Sequence, residues 1–225
     1  MTNNTNDTLK EQLVQAARLL FQAGVMSHSG HGNMSARLPG TGHMLLASTG
    51  LHAELTSKQV AVVSFDGEVI EGTLDAATRE IVAMHAGVYR VRTDVGSVMH
   101  THSPRVTSFA LAHQPLPCAY EAMLRFGITE EIPVAAWAPR GSQESVTNIV
   151  EQIKRAPASP AVLLANHGLL AFARDPLATA QLIIIMEEAA EMTLAARELG
   201  GEKGFPGDAF EKEHKHMQQF GSTHS

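Results

Sequence analysis

Val98-Met99-His100-Thr101-His102-Ser103-Pro104 closes an apolar run that begins at Val95 and reads as a β-strand. Side chains two apart on a strand leave the same face. The two imidazoles therefore stand side by side at the mouth of a buried strand, which is half of a transition-metal site. A second apolar run, Ala161-Val162-Leu163-Leu164-Ala165, ends at Asn166-His167-Gly168. A lone histidine at a strand end is more often a hydrogen-bonded structural residue than a ligand. Two costly polar rings placed together need a reason. A third ring delivered in the same way points to a three-histidine metal centre of His100, His102 and His167.

The surrounding chain alternates helix and strand signals. Leu9 to Ala23 has helical periodicity, with Gly24 as its C-cap. Asn33 to Arg37 and Met44 to Ala47 read as one hairpin, and Ala61 to Phe65 with Glu68 to Glu71 as another across Asp66-Gly67. A single helix is expected from Asp75 to Tyr89, with His85 packed on its apolar stripe. Further helices are expected over Pro104 to Ala112, Ser142 to Lys154 and Asp175 to Leu199, the last with Asp175 as N-cap and Pro176 at its first position. Strands are expected over Val95 to His100, Ile132 to Trp137, Ala161 to Ala165 and Leu169 to Phe172. The expected fold is α/β: a single domain with a mostly antiparallel central sheet covered by helices. That domain spans residues 9–199, between polar terminal segments 1–8 and 200–225. His214, His216 and His224 in the tail are expected to be exposed or disordered and not ligands.

Composition narrows the function classes. The chain has 225 residues, 44% of them hydrophobic, which suffices for one substantial core. A net charge of −6 without a basic block argues against nucleic-acid or membrane-surface binding. No apolar run approaches the roughly 20 residues that span a bilayer, and the polar start Thr2-Asn3-Asn4-Thr5 lacks a signal-peptide core. The one cysteine, Cys118, allows no intrachain disulfide and suits a reducing cytoplasm as a buried thiol.

Five pieces taken in order resemble the class II aldolase/adducin family. They are Gly32-Asn33-Met34-Ser35-Ala36-Arg37, Ala47-Ser48-Thr49-Gly50, His100-Thr101-His102, Gly141-Ser142 and Ala165-Asn166-His167-Gly168-Leu169. The resemblance runs from about Leu9 to Leu199 and includes fuculose-phosphate aldolase-like enzymes. It implies a divalent metal on His100, His102 and His167, zinc first, with cobalt or manganese as alternatives. It also implies a small-molecule substrate and a homotetramer with sites between subunits. Adducin-type members without the histidines are not enzymes, and this chain keeps all three.

The resemblance further implies a catalytic glutamate four residues before a histidine and after two serines. Four residues before His85 stands Ile81, and Glu80 is one position off. One residue turns a helix position by about 100°, so Glu80 reaches the metal only if the turn before it is rearranged. Glu80 is nominated as acid/base, against the plainer role of a first-turn glutamate. Tyr120 is nominated for proton handling, across a subunit interface. Asn33, Ser48, Thr49, Gly50 and Thr78 are candidates for an anion cradle of turn amides and hydroxyls. The paired serines are here Ala77 and Thr78, and His31 stands in a loop that is usually built of small residues. Arg140 could clamp a carboxylate with its planar fork, and Arg125 has a weaker claim.

Two reactions fit. One is metal-dependent carbon–carbon cleavage of a hydroxy-carbonyl, sugar phosphate-like substrate through a metal-stabilised enediolate. The other is decarboxylation of a hydroxylated aromatic or dienoic acid, which needs no base on a hydroxyl. A non-catalytic, adducin-like interaction module is the third reading and predicts no tightly bound metal.

Overall fold

Strands that are apolar at every position must be covered on both faces, and in the computed structural model, which describes residues 2–219, they are. The chain begins with α1 (Thr2–Gln22), then β1 (Gly32–Arg37) and β2 (His43–Ala47). A 3-10 turn leads into β3 (Val60–Ser64) and β4 (Val69–Glu71), followed by α2 (Ala76–Arg79) and α3 (Val82–Val91). Then come β5 (Ser97–Thr101), α4 (Pro104–Ala112), α5 (Glu121–Arg125), β6 (Val134–Ala135) and α6 (Gln143–Arg155). The chain continues through β7 (Ala161–Leu164), β8 (Gly168–Ala173), α7 (Pro176–Glu198) and α8 (Ala209–Gln219).

The strands form one eight-stranded sheet in the order β4-β3-β2-β1-β5-β8-β7-β6. Every pairing is antiparallel except β6 with β7. The expected single-domain α/β architecture with a mostly antiparallel sheet is the one observed. Alternation along each strand sends side chains to two cores. Met34, Met99, Leu169 and Ala171 join α1, α4 and α7 on one face. Val98, Leu170, Phe172 and Leu164 join α3 and α6 on the other. His100 lies one step from Met99 and two from Val98, so it belongs to the α3/α6 face.

Local chemistry sets several boundaries where expected. Asp175 Oδ1 accepts the Ala178 N–H at 2.8 Å and Pro176 opens α7. Ser142 Oγ accepts the Ser145 N–H at 3.1 Å to start α6. The start of α4 has no cap from its own Ser103. Instead Glu187, buried on α7, accepts the N–H groups of Arg105 and Val106 at 2.8 and 2.9 Å. Burial raises the Glu187 carboxyl pKa while these two amides oppose the rise. Because α4 follows directly on His102, this contact anchors the end of the histidine strand. Glu187→Ala leaves both amides unmet, and a stability loss of about 1–3 kcal/mol is expected in urea unfolding.

Three expectations need correction, and the C-terminal tail carries a helix that the sequence pattern does not announce. The helix expected over Asp75 to Tyr89 is two helices, broken at Glu80 and Ile81. The 141 turn approaches this break so closely that a Cβ on Gly141 would lie 3.2 Å from Glu80 Cβ. The strand expected over Ile132 to Trp137 shrinks to Val134–Ala135, because only these pair with β7. The first helix begins at Thr2, so the expected polar segment 1–8 is helical from there on. The tail is not loose throughout. Helix α8 packs on α5, with Met217 buried and Glu213 3.2 Å from Arg125 Nε. His214 and His216 are exposed on α8, whereas His224 lies outside the described residues. Among the described residues, no helix is long and apolar enough to cross a membrane.

Candidate metal centre

His100, His102 and His167 converge, with one ligand-capable nitrogen from each within 4.8 Å of the others. Their ring centroids are 4.5 to 4.9 Å apart. Strand β5 carries the first two to its end. The third rides the short hairpin between β7 and β8, where Leu164 pairs with Gly168. Asn166 makes that hairpin possible by adopting φ 58°, a left-handed conformation asparagine tolerates. His113, the αL cap of α4, donates from Nε2 to Asn166 Oδ1 at 2.7 Å and steadies the turn.

Gly168 lets the two strand ends meet. A Cβ there would stand 2.6 Å from Thr101 O, 3.1 Å from His102 Cδ2 and 3.2 Å from His100 Cε1. The first contact is with backbone and cannot be relieved by a rotamer change. Gly168→Ala is therefore expected to spread the histidines and lower metal occupancy at least tenfold below wild type at equal free metal. Equilibrium dialysis with elemental analysis reads this directly.

Hydrogen bonding sets the ring states. His100 Nδ1–H donates to Leu169 O at 2.9 Å, which turns the bare Nε2 toward the other rings. His102 Nε2 lies 3.0 Å from His100 Nε2, so in this arrangement His102 donates the proton between them. A cation would take that proton's place. Nitrogens about 2.0–2.1 Å from tetrahedral zinc sit roughly 3.3 Å apart, and the observed spacing is close to that. All three rings are held below the ordinary histidine pKa. Burial is the main cause for each, and the positive charge of Arg140 adds to it at His102 and His167. The His102 pKa falls to about 4. Three neutral imidazoles with an oriented lone pair fit a divalent metal.

The pocket around them brings in several of the expected residues. Asn33, Glu80 and Arg140 line it with the histidines. Asn33 faces His100 across the β1/β5 pairing, and directly opposed residues share a sheet face. Glu80 lines the pocket from the break between α2 and α3, as the C-cap of α2. Its half-exposed carboxylate lies 3.7 Å from Arg140 Nε, and Arg140 Nη2 donates to Ala77 O at 2.8 Å. An ion pair this exposed contributes at most about 1 kcal/mol, so substrate can displace it cheaply.

Other expected residues lie elsewhere. Thr49 and Gly50 line an adjoining cleft, which shares His31 and Gly32 with the metal pocket. Ser48 and Thr78 are buried and line neither cleft. Asp75 explains both positions: its Oδ1 accepts the Thr78 N–H, and its own N–H donates to Ser48 O. Tyr120 does not line the metal pocket and donates its hydroxyl proton to Glu188 at 3.1 Å. Arg125 is paired with Glu213 on α8. Cys118 donates to Ile128 O, half-buried, with its thiol pKa raised by burial. His31 was not nominated from the sequence, yet its ring centroid is 5.8 Å from that of His102. Its signal was the presence of a bulky ring in a loop of Ser and Gly.

Known proteins share the sequence pattern and the fold. The profile of the Class II Aldolase and Adducin N-terminal domain matches residues 11–194. A 5-deoxy-D-ribulose 1-phosphate aldolase of Bacillus thuringiensis is 28% identical over 214 residues, covering 94% of this chain and 96% of that protein. A 5-methylthioribulose-1-phosphate/5-deoxyribulose-1-phosphate aldolase of Rhodospirillum rubrum is 28% identical over 216 residues, with 96% and 93% covered. Among solved structures, an L-fuculose 1-phosphate aldolase superposes with TM-score 0.80 at 24% identity, over 94% of this chain and 96% of its own. YgbL of Klebsiella pneumoniae, described as a putative aldolase/epimerase/decarboxylase, gives 0.76 at 24% identity, over 94% and 99%. These two structures share the fold.

Proposed function

This chain belongs to the class II aldolase and adducin family, and from that premise we propose that it is a metal-dependent lyase that cleaves a sugar phosphate by retro-aldol chemistry. The observation that carries the reading is the convergence of three neutral imidazoles and one carboxylate on a single pocket. His100, His102 and His167 would hold the metal, with zinc as the first choice and cobalt or manganese as alternatives. Bound there, a divalent cation supplies a Lewis acid to adjacent hydroxyl and carbonyl oxygens.

The protein's own groups divide the remaining work. Asn33, with Thr49 and Gly50 in the adjoining cleft, binds the phosphate end through amide donors and a hydroxyl. Ser48 and Thr78 shape this region from beneath. Arg140 leaves Glu80 and turns toward the anionic substrate. Cleavage breaks a carbon–carbon bond whose electron pair stays on the carbon next to the carbonyl. Glu80 delivers a proton to that carbon, and a base accepts the proton of the departing aldehyde's hydroxyl. Tyr120 can serve as that proton handler only from a neighbouring subunit, which requires the homotetramer with sites between subunits.

The relatives named as sugar-phosphate aldolases favour cleavage over decarboxylation. The test is to incubate the zinc-loaded protein with 5-deoxyribulose 1-phosphate and, separately, L-fuculose 1-phosphate, and to follow phosphorus NMR. Conversion of either to dihydroxyacetone phosphate supports the reading. Release of carbon dioxide from hydroxy-aromatic acids, with both sugar phosphates untouched, overturns it in favour of a decarboxylase.

A further inference from the structure

Behind Asn33 lies a buried line of polar groups that metal binding does not use. His85 on α3 is fully buried, as are Ser35 on β1 and Tyr89 one helical turn after His85. His85 Nε2 is 2.6 Å from Asn33 Oδ1, and His85 Nδ1 is 2.7 Å from Ser35 Oγ. Ser35 Oγ is in turn 2.8 Å from Tyr89 OH. The spacings follow from element geometry: Asn33 and Ser35 are two apart on a strand, His85 and Tyr89 four apart on a helix.

Such a chain can run in one of two directions, and its ends decide which. Asn33 Oδ1 at one end can only accept, so the Tyr89 proton at the other end goes to Ser35. Ser35 then donates to His85 Nδ1. Burial lowers the His85 pKa to about 3, so the ring is neutral and carries one N–H. That proton must sit on Nε2, where it meets the Asn33 carbonyl oxygen. Arg37 anchors the far end. Its guanidinium lies 4.7 Å from the centre of the Tyr89 ring and donates to Tyr89 O.

We propose that His85 is a positioning residue: fed by Tyr89 and Ser35, it clamps the Asn33 amide oxygen and leaves the amide NH2 turned into the pocket to receive an anionic oxygen. An asparagine free to flip would offer a carbonyl oxygen as readily, and that would repel an anion. The chain removes the choice before substrate arrives. Only the identity of the anion rests on the sugar-phosphate reading above.

Two measurements test this. Nitrogen-15 NMR of the histidine-labelled wild type should show His85 protonated on Nε2. Inorganic phosphate binding, by calorimetry on the metal-loaded protein, should separate two variants. In His85→Gln the side-chain amide nitrogen takes the Nε2 place, and affinity should stay within about threefold of wild type. In His85→Asn the amide reaches only the Nδ1 place, and affinity should fall at least tenfold. A proton on Nδ1, equal loss in both variants, no loss in His85→Asn, or no phosphate binding by wild type overturns the proposal. A protein that passes both tests but cleaves neither ketose phosphate loses the lyase reading and keeps this one.

Discussion

His100→Ala and His167→Ala are each expected to leave a folded protein whose turnover is lower by roughly 10³-fold or more, because several kcal/mol of Lewis-acid stabilisation goes with the metal. Two imidazoles remaining in the pocket make a poor site, since structural and catalytic zinc centres use three or four protein ligands. The fold should survive. The sheet runs through backbone pairing on both sides of β5, and Met99 and Val98 keep their places in the two cores. Circular dichroism and a denaturation curve, taken with the kinetics, separate loss of metal from loss of structure. A variant of either histidine with full activity would show that the site is elsewhere.

Glu80→Gln is expected to lower aldol cleavage by about 10²–10⁴-fold, the usual contribution of a placed acid/base. The exchange keeps the side chain's size and shape, so binding should change little and the loss should fall on kcat. A decarboxylase that protonates the same carbon would lose as much, so this variant tests the acid role of Glu80 and not the reaction class. Glu80 occupies the turn between α2 and α3. Its neighbour Ile81, which stands at the spacing the family resemblance points to, is buried.

Elements with local chemical punctuation were legible in the sequence. Pro104 and Pro176 opened their helices, Asp175 and Ser142 capped theirs, and Asp66-Gly67 turned its hairpin. The His-x-His strand was legible for the same reason, since a period of two fixes which side chains share a face. The break at Glu80 and Ile81 was not, because no glycine or proline marks it. Its setting is tertiary, with the Gly141 turn pressing on Glu80. Helix α5 is a single short turn, and α8 offers few apolar residues beyond Phe210 and Met217. Neither raises a clear periodic signal.

The site was legible to the same depth. Each histidine announced itself locally, but the partners that tune it come from distant segments. Leu169 O orients His100, Glu187 anchors the helix that follows His102, and His113 steadies the turn that carries His167. The helical period places His85 on the apolar stripe of its helix, and it is buried. Its link to Asn33 depended on β1 lying beside β5 and beneath α3, which spacing along the chain does not reveal. Ser48 and Thr78 show the converse. Hydroxyls expected at an anion cradle are instead buried and line neither cleft, and Asp75 ties their two segments together.

The most direct test of the three-histidine centre is the metal content of the purified, tag-free protein by elemental mass spectrometry. The account predicts about one zinc, cobalt or manganese per chain, lost in His102→Ala. A protein that contains no such metal and takes up none on reconstitution would contradict it and favour a non-catalytic, adducin-like module.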